Sequence, residues 1–226
     1  MCVVRFIVVL VVSVLGTGLS TDSRADSFTE DSGYWTTTSV SHDLGPLWRA
    51  GLTVQTRTQG DFSDLERTVL RPSVSYNVTG RTWVTAGYDA HFIELPTDRL
   101  EQRAWQQLQT AWPLSFATLS GRVRLEERFI ENVNGTAVRL RLMARTDVPF
   151  QGTQWTLTAS NEYFVGLNDL EFGPSDGFDQ NRAYVGVSRP LTDSLSLELG
   201  YQNQYVNRRS GQDVMTHQLM VGVSIN

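Results

Sequence analysis

From residue 34 onward, apolar and polar side chains alternate in segments of about ten residues, the length of a tilted membrane-spanning strand. In the second segment Trp48, Ala50, Leu52 and Val54 share one face, while Arg49, Gly51, Thr53, Gln55 and Arg57 share the other. The sixth sets Leu119, Val123, Leu125 and Phe129 against Ser120, Arg122, Arg124, Glu126 and Arg128. The seventh sets Val138, Leu140, Leu142 and Ala144 against Arg139, Arg141 and Arg145. Strands are predicted at 34–42, 47–58, 67–78, 82–93, 101–112, 116–130, 137–149, 154–165, 181–189, 194–206 and 214–225, and no helix is needed. Short turns near residues 42–46, 78–81, 113–115, 151–153 and 190–193 alternate with longer polar loops, the longest at 166–180.

Alternation alone also describes a soluble β-sandwich or a lipocalin-like barrel. The faces differ in which one is the core, and aromatic placement bears on that. Trp48, Tyr76, Trp112 and Trp155 fall near the short-turn end, and Tyr88, Phe92, Phe129, Tyr163 and Tyr205 near the other. Two such girdles suit a barrel whose apolar face meets lipid. The pattern predicts an all-β fold, a transmembrane antiparallel up-and-down β-barrel of ten to twelve strands, with its long loops outside. Single-chain bacterial barrels usually have an even strand number. An odd list therefore implies either a further strand in the polar lead or one segment too many.

The ends add a location. Residues 1–25 read as a cleavable signal peptide, with Arg5 as the positive region, residues 6–16 as the apolar stretch and Ser23-Arg24-Ala25 as the cleavage box. Residues 26–33 form a short polar lead and residues 34–226 the barrel. Export and barrel together predict the cell outer membrane, with its lipid and, during biogenesis, the barrel assembly machinery as partners. The last strand ends Val223-Ser224-Ile225-Asn226, without the terminal aromatic residue usual in outer-membrane assembly signals. The single cysteine, Cys2, lies in the signal segment, so no disulfide framework is expected.

The chain contains no lysine, and its formal net charge is −5, which argues against a nucleic-acid partner. The positions of the arginines matter more than their sum. Antiparallel neighbours pair residues whose numbers sum to a constant, so assumed turns predict which inward charges meet. Those turns set Arg103 against Glu126, Glu126 against Arg141, Arg141 against Glu162, Glu162 against Arg182 and Arg71 against Asp89, with Arg182 close to Glu198. The expected lumen belt, one charge per strand with alternating sign, is Arg71, Asp89, Arg103, Glu126, Arg141, Glu162, Arg182 and Glu198. Charges facing lipid at mid-membrane would cost roughly 2–4 kcal/mol each, whereas inside a narrow barrel they satisfy one another. The further lumen arginines Arg122, Arg124, Arg128, Arg139 and Arg145 leave two readings open, a structural packing network or an anion-attracting path.

Catalytic chemistry is sparse. The histidines are His42, His91 and His217, and none begins a His-x-Ser pair of the kind found in outer-membrane lipid hydrolases. Asp89-Ala90-His91 is similar to the Asp-x-His pair of omptin proteases, but no second acidic pair accompanies it. Asp169, Glu171, Asp176 and Asp179 in the longest loop match no EF-hand spacing. No enzyme activity, cofactor or metal is expected, and an omptin-like hydrolase is the remote alternative.

Several runs together resemble a known family. They are Trp35, Gly87-Tyr88, Glu101-Gln102-Arg103-Ala104-Trp105-Gln106-Gln107, Arg124-Leu125-Glu126-Glu127-Arg128-Phe129, Arg139-Leu140-Arg141, Asn161-Glu162-Tyr163-Phe164, Gly177-Phe178-Asp179-Gln180-Asn181-Arg182 and Gly200-Tyr201. Their order and spacing resemble the Gram-negative proteins grouped as domain of unknown function 2490 (DUF2490). That resemblance implies an outer-membrane barrel and supplies no activity. The function expected is that of a narrow, charge-filled barrel with a structural or recognition role through its outer loops, with a small anion-preferring channel as the alternative.

Overall fold

A computed structural model of the chain describes residues 28–171, 174–209 and 211–226. The expected signal peptide, 1–25, lies outside the described residues. Period-two alternation rich in β-branched and aromatic residues yields eleven strands among the described residues. They are β1 (Thr29–Asp43), β2 (Trp48–Gln59), β3 (Asp64–Asn77), β4 (Thr82–Ile93), β5 (Arg99–Pro113), β6 (Thr118–Ile130), β7 (Ala137–Pro149), β8 (Thr156–Gly166), β9 (Gly177–Pro190), β10 (Leu195–Val206) and β11 (Val214–Ile225). Each pairs with its sequence neighbour, and β1 pairs with β11 to close the barrel.

The odd count has a geometric consequence. Alternating directions leave β1 and β11 pointing the same way, so the closing ladder is parallel, from Thr29↔Val214 to Val40↔Ile225, while every other ladder is antiparallel. Among the described residues the polar lead supplies no additional strand; its last residues lengthen β1, which begins at Thr29.

The two faces separate by polarity. Leu52, Val54, Leu70, Val74, Val84, Leu108, Val123, Leu142, Val185, Leu199 and Leu219 are exposed on the outer surface. Trp48, Tyr76 and Trp112 are exposed toward the short-turn end, and Tyr34, Tyr88, Phe92, Phe129 and Tyr163 toward the long-loop end. Inside, the buried positions are mostly charged or amide-bearing: Gln55, Arg57, Asp89, Glu101, Arg103, Glu126, Arg139, Arg141, Glu162 and Gln202. Such inversion of the usual globular pattern, apolar outward and polar inward, is what a lipid-facing barrel requires.

The registers correct three expected pairings. Arg103 faces Arg128 and not Glu126, Glu126 faces Arg139 and not Arg141, and Arg141 faces Phe164 and not Glu162. Each differs by two residues because the turn centre moved by one. At β5–β6, for example, Pro113 stays in the ladder opposite Thr118, and the turn closes beyond it through a Leu114 N–H bond to the Ala117 carbonyl. Proline is tolerated as the last strand residue, where no ladder donor is needed. Glu162 does face Arg182, and Asp89 faces Arg103.

Candidate functional site

The long-loop half of the lumen is filled by side chains. Glu126 of β6 is fully buried, and it accepts hydrogen bonds from Arg139 Nη2 at 2.6 Å, Arg139 Nε at 3.1 Å and Arg141 Nη1 at 2.6 Å. Arg141 continues to both oxygens of Glu162 on the neighbouring strand β8, at 2.9 and 3.0 Å. Arg122 binds the same Glu162 carboxylate at 2.5 Å. On the other side, Arg103 lies 3.8 Å from Glu126 and donates to Glu101 at 2.8 Å, and Glu101 also accepts from Arg128 at 2.7 Å. Several of these contacts are diagonal, Arg141 to Glu126 and Glu162 and Arg128 to Glu101 among them: arginine is long enough to reach a carboxylate two residues away on the facing strand, so ion pairs survive registers that put like charges abreast.

Arg71 grips Asp89 with both ends of its fork, Nε at 2.8 Å and Nη2 at 2.7 Å, and Trp105 Nε1 donates to Asp89 at 2.6 Å. His91 is fully buried with Nε2 3.5 Å from Asp89 Oδ2. The Asp-x-His pair is therefore enclosed, with its carboxylate engaged by arginine and indole donors.

One expected neighbour is not one. Arg182 faces Gln204 and Glu198 faces Ser188, six residues further along the ladder, so the two charges lie at different depths. Glu198 instead accepts from Arg145 Nη2 at 3.3 Å, and Arg145 also binds Asp147 at 2.9 Å. The belt is thus two tiers: a dense network in the long-loop half and a looser Arg145–Asp147–Glu198 group nearer the short turns. Of the remaining arginines, Arg124 donates twice to Gln107, at 2.9 and 2.6 Å, and lies 3.9 Å over the Trp105 ring.

Two β-bulges reinforce the dense tier. Between β2 and β3 the ladder shifts after Arg57↔Arg67, leaving Glu66 as the extra residue, bonded to Arg67. Between β8 and β9 it shifts after Phe164↔Gln180, leaving Asp179 as the extra residue, 2.8 Å from Arg139 Nη1. Both bulges lie at the long-loop end, and each adds a carboxylate that strict alternation would not have aimed there.

Apolar rings complete the closure. Phe164 is fully buried in the lumen with the guanidinium carbons of Arg139, Arg141 and Arg182 at 4.9, 4.5 and 4.5 Å from its centroid. Trp35 carries Arg57 at 3.6 Å and Arg182 at 4.9 Å. Stacked cations and rings of this kind attract by the ring quadrupole. The belt drawn from charges alone omitted these rings, yet their signal is readable: Trp35, Trp105 and Phe164 are large and apolar at positions whose parity is otherwise polar.

Toward the short turns the lumen lining becomes small: Thr37, Ser39, Gly51, Thr53, Ser73, Ser75, Ser120 and Ser160. From here a cavity of about 420 Å³ reaches up to the packed tier, lined by seven arginines, among them Arg57, Arg71, Arg122 and Arg182, and by the two glutamates Glu162 and Glu198. Side-chain exposure rises along the axis, from 0% at Glu126 to 9% at Glu162 and 32% at Glu198. The lumen is a blind vestibule, closed toward the long loops and open toward the short turns. Among the described residues, no group of three or more His, Cys, Asp or Glu is placed to hold a metal ion. In the longest loop Asp169 accepts the Asp176 N–H and pairs with Arg209.

Comparison with known proteins adds a family and two distant likenesses. An uncharacterized protein of Methylorubrum extorquens is 27% identical over 216 residues, covering 92% of this chain and 93% of its own. Among solved structures, a loop L8 deletion mutant of OmpT, an outer membrane protein of Vibrio cholerae, matches with a TM-score of 0.42 and 12% identity, over 73% of this chain and 55% of that one. The family model described as protein of unknown function (DUF2490) matches residues 32–215, and the chain belongs to that family.

Proposed function

We propose that the protein is an outer-membrane β-barrel that does not conduct, with a structural or recognition role carried by its long loops. The observation that carries this reading is the packing of the long-loop half of the lumen, where Asp89, His91, Glu101, Glu126 and Phe164 are each at most 1% exposed. A hydrated pore would leave such groups wet. The apolar outer surface with its aromatic rims supports residence in lipid. The loops are ordered enough to present a surface: Asn168 bridges the Val138 N–H and the Thr136 carbonyl, and Arg209 reaches across from the β10–β11 connection to the Leu170 carbonyl at 2.9 Å. A non-enzymatic role fits the enclosure of Asp89 and His91.

Planar-bilayer recording of the refolded mature protein tests it, with insertion checked independently by protease protection. A silent, inserted barrel is the expected result, and discrete single-channel steps would refute closure. The arginine-lined cavity supports one second reading, a gated anion-preferring channel, and anion-selective reversal potentials would favour it.

A further inference from the structure

The vestibule contains two cations that the ion-pair network leaves without partners. Arg57 is 6% exposed, and among the described residues its guanidinium forms no ion pair or hydrogen bond; Nε in particular is buried with no partner. Arg182 binds only amide oxygens, Gln204 at 3.2 Å and Gln180 at 3.3 Å. Both pack against Trp35, whose own indole N–H is buried and unbonded. All three side chains line the cavity of about 420 Å³. The nearby carboxylates are engaged elsewhere, Glu66 with Arg67 and Glu162 with Arg141 and Arg122.

Buried cations are ordinarily paired, because desolvation penalises an uncompensated charge heavily. Among the described residues the other buried lumen arginines each lie within 4 Å of a carboxylate, and the two exceptions converge on one aromatic ring inside a cavity. We propose that the vestibule binds a small, water-borne dianionic oxyanion of the phosphate class, held by Arg57 and Arg182 with the Trp35 N–H as a third donor. Two unpaired guanidiniums match two negative charges, and planar forks suit phosphate oxygens. Stacking on Trp35 fixes the Arg57 fork in advance, so little side-chain freedom is lost on binding. Entry is from the short-turn end, past Ser39, Ser160 and the partly exposed Arg145 and Glu198. The site lies on the long-loop side of the cavity, beside the bulge that follows Arg57 and opposite Glu162, against the inner face of the packed tier, and its test is independent of conductance.

The test is calorimetric titration of the refolded barrel in detergent with inorganic phosphate at constant ionic strength. One saturable site per barrel is expected, weakened about tenfold or more in Arg57→Gln and in Arg182→Gln and unchanged in Arg49→Gln, whose side chain pairs with exposed Asp43. Without phosphate, Arg57→Gln should keep its heat-modifiable gel mobility at least as well as the parent, because an uncompensated buried charge is gone. Glycerol 3-phosphate binding while glycerol stays silent would support recognition of the phosphate group. Displacement of bound phosphate by lysophospholipid would overturn the water-borne assignment in favour of a lipid headgroup. Absence of saturable binding at tens of millimolar phosphate, or equal binding by Arg57→Gln, would overturn the site itself.

Discussion

Glu126→Gln replaces the hub carboxylate of the lumen with an amide of the same shape. Three arginine donors at 2.6 to 3.1 Å converge on this side chain, and Arg103 and Arg124 each lie 3.8 Å away. The amide oxygen can keep one arginine, for example both donors of Arg139, but its NH₂ must then face the Arg141 guanidinium. Removing one partner of a buried ion pair costs about 3–5 kcal/mol. Arg139 retains Asp179 and Arg141 retains Glu162, which argues for the lower end, about 3 kcal/mol. Glu198→Gln supplies the contrast: it loses one 3.3 Å bond at a side chain that is 32% exposed, so the cost should stay below about 1 kcal/mol. Barrels of this kind are best compared by unfolding rate. About 3 kcal/mol corresponds to roughly a hundredfold faster unfolding if the network forms after the transition state. The assay is the half-life of the heat-modifiable band at a fixed temperature in detergent. Half-lives for the two variants within a factor of about two of each other would refute the two-tier description, since the two carboxylates differ above all in burial.

Three further perturbations probe other parts of the argument. Leu142→Arg, on the outer face at mid-strand, should cost roughly 2–4 kcal/mol in lipid and lower the folding yield into vesicles; an unchanged yield would contradict a lipid-facing exterior. Phe164→Ala should destabilise the barrel by about 3–5 kcal/mol and introduce bilayer leak, because three guanidiniums lose the ring they pack against; silence with full stability would mean that the ring does not seal the lumen. Gly87→Ala should lift Trp105 off the barrel wall, since a Cβ there would overlap the indole, and so break the Trp105–Asp89 bond. A shift in tryptophan emission relative to the parent is the readout, and an unchanged spectrum would count against that packing.

Most of the architecture was legible because strand parity is a strong signal: a one-residue slip would turn every arginine of β6 and β7 toward the apolar face. The eleven segments followed from that alone, and the aromatic girdles at the strand ends added the inward direction of their charges. Pairings were harder, because register depends on turn centres, and a turn one residue off moves every partner by two. Pro113 misleads in this way, since it resembles a break but ends a strand. The bulge carboxylates Glu66 and Asp179 were illegible for a different reason, since the insertion that aims them is a property of the ladder and not of local sequence. Glu198 was misplaced by the greatest margin because the turn at 190–193 sets Arg182 against an amide, Gln204, and Glu198 against Ser188, so charge matching gives no guide to register on this strand pair.

The lumen's asymmetry has a mechanical meaning. Eight strands enclose about as much space as side chains can fill, so an eleven-stranded wall needs bulky groups to close it and remains open where the lining is small. This chain places most of its lumen arginines, glutamates and aromatic rings in one half and, apart from the looser Arg145–Asp147–Glu198 group, mainly serine, threonine and glycine in the other. Closure is therefore built from the strands themselves. Opening such a lumen would require several ion pairs and the Phe164 stack to rearrange together, because each arginine that lets go exposes a carboxylate shared with another. A seal of that kind responds to changes in charge more than to movement of any one loop, and an anion reaching Arg57 and Arg182 acts on its inner edge.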